Sequence, residues 1–339
     1  MQNGKELPWL ISSYNVLATG RGRWTDIDHV LLRFHIQAVQ STGARRQEQC
    51  WTWSSSNFFW HQWSRHEKYT GVAVGLAKSR FAKQSVVQVF TPVDPVLKGR
   101  FGMLRAKTKV YDITVANVYA PVESSERKQQ EKVKRFRSAV DRELSLIPAR
   151  SVLVLLGDFN GKLAMEQDTH GDFLVGPGAA KAHSTSGQAV AHVLRKHHLV
   201  ATNTLKRTTP AFYGANGKGH SWIDFICIPQ ALASRVVWAH TLDKEGDMLQ
   251  YIDTQDRRDH RPVAVSFYYR RWHEQTITQK AGWDKDKMAE AVEYGTGRQP
   301  FLEIFYSHCE KVLSVYMSWK NKMMQTSFYK CCTRRSKNQ

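Results

Sequence analysis

What this chain lacks narrows its function before any motif is read. Its five cysteines (Cys50, Cys227, Cys309, Cys331 and Cys332) are odd in number and form no CxxC pair. That spacing argues against a zinc ribbon and a disulfide framework. Reduced thiols, an intracellular setting (nuclear or cytoplasmic) and no disulfide-linked partner are the expectation. No apolar run approaches the roughly 18 residues of a membrane span. The opening MQNGKELPWL lacks the basic-then-apolar layout of a signal peptide. There is no lipidation signal and no dominant basic amphipathic helix, so no membrane partner is expected. Internal repeats and low-complexity tracts are absent too. Acidic residues are scarce, with 30 Asp and Glu against 49 Lys and Arg, a net charge of +19. Solubility alone needs only about 2–8 charges on a small domain, so the excess points to a polyanionic partner, nucleic acid before an anionic membrane.

What is present suits a sizeable core. Hydrophobic residues make up 42% of the 339, with 11 tryptophans, which excludes a disordered chain. The length allows one large domain with an appendage, or two domains. Residues 9–17 (WLISSYNVL) read as a strand ending in polar groups, Asn15 among them. Residues 25–34 place Ile27, Val30, Leu31 and Phe34 at helical spacing behind Thr25 as N-cap. IQAVQ (36–40) is a short second strand. The six large aromatics of 51–63 read as a loop pinned by aromatic anchors, in preference to a base-stacking platform. GVAVGLAK, SVVQVF, GMLRAKT and DITVANVY then follow as a meander of strands.

Residues 126–147 turn helical, with Val133, Phe136, Val140, Leu144 and Ile147 in one stripe and basic residues opposite. A second helix is expected over 186–199. Strands are expected over 222–228, 236–240 and 263–267. Two similar halves of alternating elements predict an α+β fold over residues 1–269. Its form is a four-layer αββα sandwich of two packed mixed β-sheets flanked by helices. Residues 270–339 read as a linker and C-terminal helical extension, with an amphipathic helix over 301–324. The apolar face of that helix has no partner in its own segment and suits contact with a missing downstream domain.

The stretch VLVLLGDFN (152–160) organises the chemistry. A buried strand runs into a turn that carries Asp158 and Asn160, two residues apart and so on one side of a pleated backbone. A carboxylate and an amide there suit a phosphate or a metal-bound water. The competing reading is an Asx turn that merely satisfies backbone groups. Similar polar groups recur at other strand ends: Asn15, Tyr119, Asp224, Asp259 and His260. Asp224 lies between apolar neighbours and so needs a partner.

Read in order, SYNVL, ANVYAP, LLGDFNG, SWIDFI and DHRPV resemble the endonuclease/exonuclease/phosphatase superfamily, the fold of the exonuclease III-type apurinic endonucleases. The closer resemblance is to the endonuclease domain of non-LTR (LINE-type) retrotransposons. There the domain precedes a linker to a reverse transcriptase, and residues 270–339 look like such a linker cut short. The resemblance implies Mg²⁺- or Mn²⁺-dependent hydrolysis of DNA phosphodiesters by nicking. Asp224 would hold His260 in one tautomer, and Asp158 would orient or deprotonate the attacking water. Asn160 would donate to developing charge, Asn15 and Tyr119 would contact the phosphate, and Asp259 with Asp158 would hold the metal. Arg45, Arg46, Arg257, Arg258 and Arg261 are the expected DNA contacts.

One departure stands out. Where the family carries Gln-Glu-Thr, with the glutamate on the metal, this chain reads Gln40-Ser41-Thr42. A serine is a poor ligand for Mg²⁺, which prefers carboxylates. His35 also stands where an aspartate is common. The alternatives are therefore a catalytically inactive DNA-binding relic, or a phosphoesterase of the same fold acting on a small phosphate ester.

Overall fold

A computed structural model of the chain describes residues 8–17, 23–43, 50–64, 70–108, 110–165, 174–214, 219–249 and 260–269. The strands are β1 (Trp9–Asn15), β2 (Ile36–Gln40), β3 (Cys50–Ser54), β4 (Phe58–Trp63), β5 (Val72–Ala77), β6 (Val86–Phe90), β7 (Phe101–Lys107), β8 (Asp112–Tyr119), β9 (Val152–Asp158), β10 (Leu199–Ala201), β11 (Phe212–Tyr213), β12 (His220–Ser221), β13 (Asp224–Pro229), β14 (Val236–Thr241) and β15 (Val263–Phe267). The helices are α1 (Arg23–Val30), α2 (Arg127–Leu144), α3 (Thr185–Lys196) and α4 (Asp243–Met248). One sheet has seven strands in the order β14-β15-β1-β2-β5-β4-β3, and the other has six in the order β10-β13-β9-β8-β7-β6. Both are mixed: β1 and β2 run parallel, as do β8 and β9, while their other partners are antiparallel.

Three apolar clusters divide the molecule into the four expected layers. Between the sheets lie Trp9, Ile36, Trp63, Leu104, Val115, Leu156, Ile226 and Phe267. Outside the six-stranded sheet, Phe136, Val140 and Leu144 of α2 and Val190 and Leu194 of α3 pack on Met103, Leu155 and Phe225. Outside the seven-stranded sheet, Ile27 of α1 with Leu31 and Phe34 packs on Tyr14, Val39 and Trp60. The α2 stripe is buried as its spacing predicts, and α3 is capped by Ser184, whose Oγ accepts from Gly187 N at 3.0 Å.

Several local expectations are corrected. The aromatic segment 51–63 is no loop: Cys50–Ser54 and Phe58–Trp63 form a hairpin at the sheet edge. Trp53 stacks on Trp60 at 5.8 Å, and Trp24 of α1 meets Trp60 edge-on at 4.9 Å, while Trp63 enters the core between the sheets. The first helix begins at Arg23, ahead of Thr25, and its buried Arg23 donates to Val16 O at 2.8 Å. The meander is split between layers. β5 pairs with β2 and β4 in one sheet, while β6, β7 and β8 belong to the other. The helix expected over 301–324 lies outside the described residues, as does the rest of 270–339.

Candidate active site

The strand register brings the site together. Tyr119 pairs with Asp158 across the parallel β8–β9 ladder, and Asp158 with Asp224 across the antiparallel β9–β13 ladder. Three of the expected residues thus stand in a row at one end of the six-stranded sheet. The other sheet delivers Asn15 at the end of β1 and Ser41 just past β2, and His260 arrives immediately before β15. Gly157 lies inside β9 and does not end it. Its φ is +140°, and a Cβ there would sit 1.9 Å from Val118 O. Only glycine lets β9 run this close to β8 before it presents Asp158.

Four of the expected residues form one buried cluster. His260 Nδ1 lies 2.9 Å from Asp224 Oδ2, and His260 Nε2 lies 3.8 Å from Asp158 Oδ2. Asn15 Nδ2 donates to Asp158 Oδ2 at 2.9 Å and approaches His260 Nε2 at 3.4 Å. None of the four is more than 5% exposed. Burial, reinforced by the field of Asp224, pushes the Asp158 carboxyl up to about 7, with His260 and hydrogen bonds from Asn160 and Asn15 opposing the shift. A carboxyl held near neutrality beside an imidazole is equipped to exchange a proton at working pH.

The Asx turn is present as well. Asn160 N donates to Asp158 Oδ1 at 2.9 Å, and Asn160 has φ +45°. Its Nδ2 donates to Ala120 O at 2.8 Å. One carboxylate oxygen shapes the turn while the other faces the site. Tyr119 flanks the cluster. Burial first, and then the Asp158 charge, hold its phenol above the ordinary range, while a hydrogen bond from Ser41 and the Arg100 charge act the other way.

The position expected to carry a glutamate is closed. Ser41 is fully buried, has φ +55° and bonds to Tyr119. Its neighbours are committed too. Gln40 Nε2 donates to Ser13 Oγ at 3.0 Å and Asn117 Oδ1 at 2.8 Å, and Gln62 Nε2 donates to Thr42 Oγ1 at 2.6 Å. A neutral hydroxyl and amide ladder stands there. A divalent cation still finds donors: Asp158, Asp224 and His260 offer ligand atoms within 4.8 Å of one another. Asp224 Oδ1 is buried without a hydrogen-bond partner, an acceptor left over for a cation or its water. This donor set fits one ion with few carboxylates, as Mg²⁺ allows when waters complete its shell.

Asp259, Arg45, Arg46, Arg257 and Arg258 lie outside the described residues. Arg261 faces Asp243 and Asp247 and stacks over Tyr213. His35 lies before β2, at the end of that strand opposite Ser41, and its Nδ1 accepts from Leu10 N at 3.1 Å. Sequence reasoning missed Arg100, whose guanidinium lies 5.1 Å from the Tyr119 ring centroid. Tyr119 N donates to Arg100 O at 2.7 Å and Arg100 Nη1 to Tyr119 O at 3.4 Å, a pairing 19 residues apart in sequence. Among the described residues, a cavity of about 810 Å³ is lined by Lys162, Lys181, Arg207, His220 and Trp222, with no carboxylate.

No family model matches the sequence, and no curated protein does. Solved structures do. The Neisseria 3′ phosphatase NExo, solved with a product DNA hairpin, matches with TM-score 0.54 at 20% identity, over 77% of this chain and 100% of its own. The Leishmania major AP endonuclease LMAP matches with TM-score 0.54 at 13% identity, over 78% of this chain and 88% of its own. An AP endonuclease from Archaeoglobus fulgidus matches with TM-score 0.53 at 19% identity, over 76% of this chain and 99% of its own. The fold of this chain is that of the endonuclease/exonuclease/phosphatase proteins.

Proposed function

We propose that the chain hydrolyses phosphodiester bonds in DNA as a divalent-cation-assisted nicking endonuclease of the retrotransposon type. One observation carries this reading: a buried cluster linked in the order Asp158–Asn15–His260–Asp224, at the strand ends of a DNA-processing fold. Asp224 fixes His260 by its bond to Nδ1, leaving Nε2 facing Asp158 and the scissile phosphate. Asp158, itself held in place by Asn15, orients or deprotonates an attacking water. Asn15, Asn160 and Tyr119 supply hydrogen bonds to the phosphoryl oxygens, with the charge of Arg100 close behind. Asp158 and Asp224, joined by Asp259, would hold a Mg²⁺ or Mn²⁺. The ion would supply charge neutralisation at the phosphate.

The +19 charge and a cavity lined by Lys162, Lys181 and Arg207 favour DNA as the partner. Arg45, Arg46, Arg257 and Arg258 are proposed to extend this contact. The test is nicking of supercoiled DNA with Mg²⁺ or Mn²⁺, beside an Asp158→Ala control. Cutting by the wild type alone supports the reading. Silence from both, with DNA still bound, would favour a second reading, the catalytically inactive DNA-binding relic. The uncharged, fully bonded Ser41 motivates that alternative. A third reading, a phosphomonoesterase, follows from the 3′ phosphatase among the similar structures. Release of phosphate from a 3′-phosphorylated oligonucleotide would separate it from nicking.

A further inference from the structure

We infer that Arg261 is a positioning residue for His260 and not a DNA contact, an inference that rests on the reading of His260 given above. The side chain is tied on every face. Its Nη1 lies 2.5 Å from Asp243 Oδ1, and its Nη2 lies 3.2 Å from Asp247 Oδ1, both on α4. Its guanidinium covers the Tyr213 ring at 5.2 Å. Its aliphatic stem passes Gly246, where an added Cβ would sit 3.1 Å from Arg261 Cγ. The backbone is tied as well, with Arg261 N donating to Ala211 O at 2.7 Å.

These bonds dock the β11–β12 ribbon against the imidazole. Phe212 forms a main-chain bridge with His260, and the two rings pack at 4.9 Å. Asp243 anchors the approach to the ribbon a second time, because Thr209 Oγ1 donates to its Oδ2 at 3.0 Å. Arg261 therefore joins three separate pieces, α4, the ribbon and the strand start that carries His260. An arginine facing two carboxylates retains little net charge for a phosphate. Its planar fork does what an ammonium cannot, engaging two carboxylates and one ring at once. Loss of the fork releases Tyr213 and Phe212, and with them the face that holds the His260 ring against Asp224.

The two roles give opposite signs at Asp243. If Arg261 contacted DNA, Asp243→Asn would free its charge and tighten DNA binding, while Arg261→Gln would weaken binding and lower the salt slope by about 1. If Arg261 positions His260, both substitutions act in the same direction. Each should lower kcat for nicking about 10–100-fold, the usual loss on removing an orienting partner. KM, the DNA dissociation constant and the salt slope should stay within about twofold, because uniform binding is untouched. Arg261→Lys should not restore kcat. A shifted or lost imidazole N–H signal of His260 in ¹⁵N-histidine NMR spectra should accompany each substitution.

The NMR and binding arms need no turnover. If the wild type does not nick DNA, the proposed activity falls while the positioning role is still read from the spectrum. An unchanged His260 signal in Arg261→Gln and Asp243→Asn would overturn the inference. So would Arg261→Lys behaving as wild type, or opposite effects of the two substitutions on DNA affinity. Should Arg261→Gln fail to fold, Asp243→Asn and Arg261→Lys carry the same comparison.

Discussion

Asp158 and Asp224 face each other in antiparallel register across β9 and β13, and the two ring nitrogens of His260 point one at each carboxylate. The two acids are therefore not equivalent. Asp224 bonds the ring at 2.9 Å, while Asp158 is 3.8 Å away and bonded instead to Asn15. We expect His260→Ala and Asp158→Asn each to reduce nicking by about 10²–10⁴-fold, as loss of a positioned acid or base does. DNA binding should persist. Residual cutting within twofold of wild type in either variant would remove the cluster from the chemistry.

Ser41→Glu places a carboxylate beside Tyr119, where the chain now has only a hydroxyl. Because Mg²⁺ binds chiefly through carboxylates, the variant should cut at lower Mg²⁺, with apparent metal affinity up by about 10–100-fold. A Mg²⁺ titration of nicking rates reads this directly. Since φ at this position is +55°, the variant should also lose some stability, and its melting temperature should be recorded alongside.

Acid should destabilise the fold through two histidines away from the cluster. Burial lowers His61 to about 4, and burial with the charge of Arg80 lowers His35 to about 4, from the ordinary 6.5. Between those values the unfolded chain binds protons that the folded one refuses. The stability of the neutral rings is therefore present above about pH 6.5 and lost as pH falls toward 4. His61 Nδ1 is buried without a hydrogen-bond partner, so His61→Leu should flatten the loss. Urea denaturation at pH 7 and pH 5 checks this, and equal slopes with pH for variant and wild type would refute it.

Arg105 and Asp112 form a buried bidentate pair, 2.7 Å and 2.5 Å, between neighbouring strands of the six-stranded sheet. Removing one partner strands the other charge in the core. Asp112→Ala should cost about 3–5 kcal/mol, whereas the double replacement Arg105→Met with Asp112→Leu should be near neutral. Chemical denaturation of all three proteins provides the comparison.

The sandwich was legible because strands are written locally. Alternating or continuous apolar runs set β1, β2, β8 and β15 almost to the residue, and the α2 stripe set its helix. Asp158, Asp224 and His260 were legible as polar groups where burial forbids them without a partner. Pairing between distant residues was not. Which sheet receives β5 depends on its partners β2 and β4, not on its own sequence. The 51–63 aromatics hid a hairpin because their polar spacers imitate a loop. The role of Arg100 beside Tyr119 follows from ladder register, and the ties of Arg261 follow from the arrival of α4, so neither leaves a local signal.

The sheet order also sets a timetable for synthesis. β15 lies between β14 and β1, so the earliest described strand is hydrogen-bonded to the latest, and His260 is delivered by that closing strand. Asn15, Asp158 and Asp224 all leave the ribosome before the imidazole that joins them. The cluster is thus completed in one step, with the closure of the sheet.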